Sequence, residues 1–386
     1  MDFIPYSRQE ISEEDVAAVC AALVSDFLTQ GPEVARFEQQ IAALHERKYG
    51  VAVCNATAAL HIACLALDFG PGDLLWTSPN SFVASANCAR YCGGDVDFVD
   101  IDPRTRNISV GALAEKLIAA KAAGRLPKIV VPVDFSGLPC DLLEIRALAD
   151  EYGFRIISDS SHAVGASYLG SPIGKYADIT VFSFHPVKIV TTGEGGLCLT
   201  DDADLARKLG LYRSHGITRD IDAMQGEADG PWYYEQISLG FNYRLTDIQA
   251  VLGSSQLKRL PEQYAKRKNM AGRYDRLLAD LPLTLPLRLN DRESAHHLYV
   301  VEVDQTHTDV SRRSVFDTLR ASGIGANVHY IPIHLQPDYQ RLGFKRGDFP
   351  ASEVYYDQAI TLPLFPAMTD AEHEHVVATL QSAFSV

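Results

Sequence analysis

The sequence predicts an α/β protein with a mostly parallel sheet of about seven strands, followed by a smaller C-terminal α+β domain. Three observations predict it. Between residues 49 and 158, short apolar runs rich in Val and Ile alternate with longer amphipathic stretches, the pattern of strands joined by helical crossovers. Residues 179–184 and 197–200 follow without a long helix between them, so an antiparallel element is expected there. From Asp201 the texture changes and the alternation stops.

The elements follow in order. Pro5-Tyr6-Ser7 opens an extended segment. Ser12 with Asp15 three residues on is a capping-box pattern for a helix to about Ser25. Phe27-Leu28-Thr29-Gln30-Gly31-Pro32 breaks it, and a second amphipathic helix is expected over 33–47. Strands are expected over 49–53, 74–77, 96–101, 128–133 and 154–158. Helices over 56–67, 82–91, 110–123 and 142–152 connect them, with a turn at Gly70-Pro71-Gly72-Asp73. Asp202 to Tyr212 reads as a helix and 218–231 as a mobile polar loop. A helical run over 246–281, broken at Pro261, leads into strands at 298–303 and 325–330 and helices at 311–321 and 369–384. The domains are therefore expected at 1–245 and 246–386.

Composition limits the function. A net charge of -14 argues against nucleic acid and anionic lipid as partners. No apolar run is long enough to span a membrane, and the N-terminus lacks a secretory pattern. The seven cysteines lie mostly in apolar stretches and read as core thiols in a reducing cytoplasm. Cys88-x3-Cys92 has no second pair to complete a metal site, so no metal is expected. His329 to His334 reads as a substrate-facing loop, and His373-x-His375 as a solvated pair on the last helix. No G-x-G-x-x-G follows the first strand, which argues against a nicotinamide cofactor.

The chemistry concentrates around Val181 to Gly196, VFSFHPVKIVTTGEGG. A lone lysine is ordinarily a solvated surface residue. Lys188 instead sits between apolar flanks, and burial favours the neutral amine that attacks a carbonyl. It reads as the residue that holds pyridoxal phosphate covalently. Asp159 ends the apolar run 155–158; it reads either as a cap or as the partner of the cofactor's ring nitrogen. Three residues later, His162 reads as a core histidine or as a group against that ring. Ala56 and Thr57 open a helix directly after a strand, where free NH groups suit a phosphate. Ser183 adds a hydroxyl, and Phe82 an aromatic plate or ordinary packing.

Taken together, these residues resemble the sugar-nucleotide aminotransferases of the DegT/DnrJ/EryC1/StrS family. The resemblance runs from Pro5-Tyr6-Ser7 through Leu28-Thr29-Gln30-Gly31-Pro32 and Asn55-Ala56-Thr57-Ala58-Ala59-Leu60-His61 to Leu362-Pro363-Leu364. Its strongest segments are SDSSHAVGA (158–166), FSFHPVKIVTTGEGG (182–196), RSHGITRD (213–220), LGFNYRLTDIQA (239–250) and HYIPIHLQPDY (329–339). It implies the type I, aspartate aminotransferase-like fold. Asn55-Ala56-Thr57 and Ser158-Asp159-Ser160-Ser161-His162 look most like the branch that serves pseudaminic acid biosynthesis. That branch aminates C4 of a UDP-linked 4-keto-6-deoxy-N-acetyl-hexosamine of L-altro configuration, with L-glutamate as donor.

The resemblance also assigns roles. Lys188 and Asp159 would be catalytic. Ala56, Thr57 and Ser183 would hold the phosphate, with Phe82 and His162 against the ring. Asn242 would reach the phosphate of a neighbouring subunit, making the active unit a homodimer. Tyr6, the segment Asp26, Phe27, Leu28 and Thr29, and the loop Asn327, Val328, His329 and Tyr330 would line the sugar-nucleotide site. A dehydratase branch carries histidine at the lysine position; Lys188 argues against it. The competing readings are a perosamine- or aminoarabinose-type nucleotide-sugar aminotransferase, and a non-catalytic cofactor-binding regulator.

Overall fold

The structure is a computed structural model and describes residues 3–385. Its centre is a seven-stranded sheet formed by β1 (Tyr49–Val53), β2 (Leu74–Thr77), β3 (Asp95–Phe98), β4 (Ile129–Val131), β5 (Arg155–Asp159), β6 (Ile179–Ser183) and β7 (Gly196–Thr200). The spatial order is β1-β7-β6-β5-β4-β2-β3. All pairs are parallel except those of β7, which runs antiparallel to both β6 and β1. The antiparallel element expected at 179–200 is therefore the β6–β7 hairpin.

β6 and β7 are buried at every position, as a sheet covered on both faces requires. Helix Ala56–Ala66 is apolar nearly all round and is buried accordingly. Side chains close the helix starts: Ser12, Asn55 and Thr246 each accept a backbone NH of the first turn. The break expected at Pro261 lies between helices Asp247–Leu257 and Leu260–Leu277, with the proline in the first turn of the second.

A second sheet follows, formed by β8 (Leu283–Thr284), β9 (Tyr299–Val303) and β10 (Ala359–Leu362), antiparallel in that order. It has its own core, in which Val301 and Ile360 meet Tyr274 and Leu380.

Several expectations need correction. The strand expected at 325–330 is reduced to Ile324–Gly325, which pairs in parallel with Ile4–Pro5. Beyond it only Asn327 bridges, to Thr361, and 328–330 is a loop tied by side chains rather than by a ladder. β10 and helix Pro350–Gln358 had not been expected. The helix expected from residue 82 begins at Ala84, leaving Phe82 in the preceding loop. His373 is buried, with its ring stacked 3.9 Å from that of Tyr274, because that face of the last helix packs on Leu260–Leu277. His375 is half-buried and bonds the Ser322 carbonyl. The 218–231 stretch is the tip of a hairpin based on Ile217–Thr218 and Glu235–Gln236, with one 3-10 turn at Ile221–Ala223.

Candidate active site

The ends of β1, β5 and β6 converge on one cavity of ≈ 580 Å³, at the carboxyl edge of the parallel strands. β1 passes through Cys54 and Asn55 into helix Ala56–Ala66. The Asn55 side chain accepts the Ala58 NH at 2.8 Å. Ala56 and Thr57 line the cavity at this helix start, where the first-turn NH groups have no carbonyl of their own helix to bond. Ser183, the last residue of β6, lies on the same lining.

Gly196 begins β7 against this helix start. A Cβ there would lie 2.5 Å from the Asn55 carbonyl carbon and 2.6 Å from the Ala56 nitrogen. A side chain at this position would push the strand off the helix start.

Lys188 rides on the loop of the β6–β7 hairpin. Phe184 NH bonds Gly195 O at 2.9 Å and Thr192 NH bonds Phe184 O at 3.0 Å, which extends the hairpin beyond the strands. Thr191 Oγ1 donates to Phe184 O at 3.1 Å, and Lys188 NH to His185 O at 2.8 Å. Ile189 and Val190 are buried beneath. From the N-terminal segment, Ser7 Oγ donates to Val187 O at 3.1 Å. The hairpin thus holds the lysine from both sides. Burial lowers the Lys188 pKa to about 8, and the Asp159 charge opposes that fall.

Asp159 ends β5 and is fixed by two hydroxyls, Ser85 Oγ to Oδ2 and Ser161 Oγ to Oδ1, each at 2.6 Å. His162 Nδ1 accepts the Ser136 NH at 3.2 Å, which places the ring proton on Nε2, 3.2 Å from the Tyr330 hydroxyl. Burial, with Lys188 and His329 nearby, depresses the His162 pKa well below its ordinary value, so the ring is neutral. His329 is lowered to about 4, again chiefly by burial. Its Nδ1 sits 2.8 Å from Thr361 Oγ1, and its ring lies 5.2 Å from that of Tyr6.

Most of the expected site residues therefore meet. Tyr6 and the loop from Asn327 through Val328 and His329 to Tyr330 wall the cavity that Lys188 also lines. Phe82 stands at the mouth, 59% exposed, with its ring 6.4 Å from that of Tyr330. Asp26, Phe27, Leu28, Thr29 and Asn242 do not line the cavity of their own chain. Phe27 is 53% and Leu28 48% exposed. The 28–29 stretch is tied to the start of helix Asp247–Leu257: Thr29 bridges Thr246, and Leu28 O accepts the Asp247 NH at 3.0 Å, while Asn242 bridges Ser214. His334 is not substrate-facing; it is buried and bonded to Glu353 at 2.9 Å.

Sequence reading missed Ser85, Ser136 and His297, whose ring packs 4.4 Å from that of His162. It also passed over His185 and Glu194 on the lining. Only these last two carried a signal, since they flank Lys188 in its own motif.

The residues present fit pyridoxal phosphate. The helix start with Ser183 suits its phosphate, Asp159 its ring nitrogen and Lys188 its carbonyl carbon, and the Gly196 contact keeps the phosphate end open. Among the described residues, no three His, Cys, Asp or Glu side chains are arranged to hold a metal ion.

The model of the DegT/DnrJ/EryC1/StrS aminotransferase family matches residues 9–381. A spore coat polysaccharide biosynthesis protein, SpsC of Bacillus subtilis, is 39% identical over 98% of this chain and 96% of its own. Among solved structures, Helicobacter pylori PseC, an aminotransferase involved in the biosynthesis of pseudoaminic acid, is 32% identical with a TM-score of 0.90, covering 99% of each chain. A putative sugar aminotransferase of Streptococcus pneumoniae, Spr1654 in its PMP form, is 28% identical with a TM-score of 0.89 over 98% of each chain.

Proposed function

Because the chain belongs to the DegT/DnrJ/EryC1/StrS aminotransferase family, it is a pyridoxal phosphate-dependent sugar aminotransferase, and we propose that it aminates C4 of a UDP-linked 4-keto-6-deoxy-N-acetyl-hexosamine with L-glutamate as donor. The observation that carries this reading is the convergence of Lys188, Asp159 and the Ala56–Thr57 helix start on one cavity walled by Tyr6 and the 327–330 loop.

In this reading Lys188 holds the cofactor, Asp159 its ring nitrogen, and Ala56, Thr57 and Ser183 its phosphate. When bound, pyridoxal phosphate supplies an electron sink that makes a proton on the adjacent carbon removable. The chain's own groups do the rest. Lys188 Nζ, with its pKa near 8, both accepts and returns a proton close to neutral pH. Asp159 stays oriented because two hydroxyls fix its oxygens. His162 offers an Nε2–H as a neutral ring, and Phe82, on the cavity lining, would supply an aromatic face to the cofactor. The aromatic wall of Tyr6, His329 and Tyr330 keeps water from the reacting carbon and seats the sugar.

The active unit is a homodimer in this reading. Asn242 and the 26–29 segment are exposed and lie off their own chain's cavity, a position suited to completing a partner's site. The reading also places the enzyme in the cytoplasm, where its seven free cysteines remain reduced.

The test is formation of 2-oxoglutarate from glutamate in the presence of the L-altro-configured UDP-ketosugar. Turnover supports the reading; failure with that sugar but turnover with another nucleotide ketosugar moves the assignment to a different acceptor.

A further inference from the structure

We propose that a buried ion pair, Arg106–Glu302, acts through Tyr355 as a positioning device for the 327–330 wall, and so for the amino acceptor. The inference rests on the acceptor reading above. Arg106 lies on the turn that follows β3, closed by Asp102 NH to Asn107 O at 2.8 Å. Glu302 lies on β9. Arg106 Nε donates to Glu302 Oε1 at 2.7 Å, and Nη2 donates to the same oxygen. The two side chains are only 13% and 10% exposed, so each charge depends on the other for compensation.

The pair does not stop there. The Arg106 guanidinium stands over the Tyr355 ring, 5.6 Å from its centroid, and Phe135 meets the same ring edge-on at 5.8 Å. Tyr355 OH donates to the His329 carbonyl at 2.8 Å. Burial raises the Tyr355 pKa far above its ordinary value, which keeps the hydroxyl a donor. The His329 ring in turn contacts Thr361 and Tyr6. Direct contacts therefore connect the ion pair to the cavity wall. Arg106, Glu302 and Tyr355 do not line the cavity themselves, so they are positioning residues and not catalytic ones.

A small donor such as glutamate needs the Lys188 end of the cavity. A sugar nucleotide also needs the wall at a fixed height. Loosening the pair is thus expected to separate the two substrates kinetically.

The test compares Tyr355→Phe and Glu302→Gln with the wild-type holoenzyme. Tyr355→Phe keeps the ring and the ion pair and removes only the hydroxyl. Amide hydrogen exchange over 327–330 should rise roughly fivefold, the value of one lost hydrogen bond. KM for the UDP-ketosugar should rise by a similar factor, with kcat and the glutamate half-reaction rate unchanged. Unchanged exchange in Tyr355→Phe would overturn the proposal, as would equal loss in both half-reactions or increased exchange without a change in KM. If the wild type rejects the UDP-ketosugar, the acceptor reading falls by itself. Exchange over 327–330 in Glu302→Gln, which removes the charge that compensates Arg106, should rise as well; unchanged exchange there would show that the pair does not hold the wall, whatever the acceptor.

Discussion

At Lys188 two forces act in opposite directions on one proton. Burial favours the neutral amine and the Asp159 carboxylate favours the ammonium; burial wins, and the pKa falls to about 8. Below that pH the amine is mostly protonated and a poor nucleophile. Capture of pyridoxal phosphate by cofactor-free protein should therefore speed up about tenfold per pH unit and level off above pH 8. A flat profile between pH 6 and 9, followed by absorbance, would contradict the assigned burial. Lys188→Ala should keep the fold, checked by circular dichroism, and abolish 2-oxoglutarate formation. Asp159→Ala should slow both half-reactions, because the cofactor's ring nitrogen would lose the carboxylate that Ser85 and Ser161 hold in place. An unchanged glutamate half-reaction would count against that role. Lys188 and Asp159 were legible in the sequence because each sits in a short motif with its own local context. Ser85 was not, because its bond to Asp159 joins residues 74 positions apart.

At the scale of elements, the site depends on how closely β7 approaches the helix that starts at Ala56. Gly196→Ala would force a Cβ into the Asn55–Ala56 backbone. The expected cost is about 1–3 kcal/mol of stability, together with weaker cofactor retention. Thermal unfolding and dialysis of the loaded protein measure the two effects; retention equal to wild type would contradict the role of this contact. The parallel strands were legible because both faces are buried, which leaves continuous Val and Ile runs such as Ile129–Val131. The 325–330 segment was misread for the opposite reason. Its apolar and aromatic residues look extended, but the Asn327 side chain caps the neighbouring Val328 NH, and His329 and Tyr355 hold the loop through side-chain bonds that join residues 32 and 26 positions apart. His373 looked solvated beside its acidic neighbours, and only the packing of two helices reveals its burial.

At the scale of the whole molecule, one chain gathers the cofactor end of the site and leaves Asn242 with the 26–29 segment outside it. Complementation tests whether these residues serve a partner. Lys188→Ala and Asn242→Ala chains, each impaired alone, should regain activity when mixed, because half of the sites in a mixed dimer escape both substitutions. Roughly a quarter of wild-type activity is expected from random pairing in a two-fold dimer. No recovery would show that Asn242 acts within its own chain. The resemblance in the sequence pointed to this division, but single-chain periodicity carries no signal for contacts between copies.

Amino transfer to a UDP-linked 4-ketosugar is read out in a single turnover. The protein is loaded with pyridoxamine phosphate and mixed with the L-altro-configured UDP-ketosugar or with its D-configured epimer. Return of the visible absorbance of the lysine-linked cofactor is then followed. Rapid return is expected with the L-altro sugar and little with the epimer. Preference for the epimer would replace the acceptor, and no return with either, or with any other nucleotide ketosugar, would contradict the account.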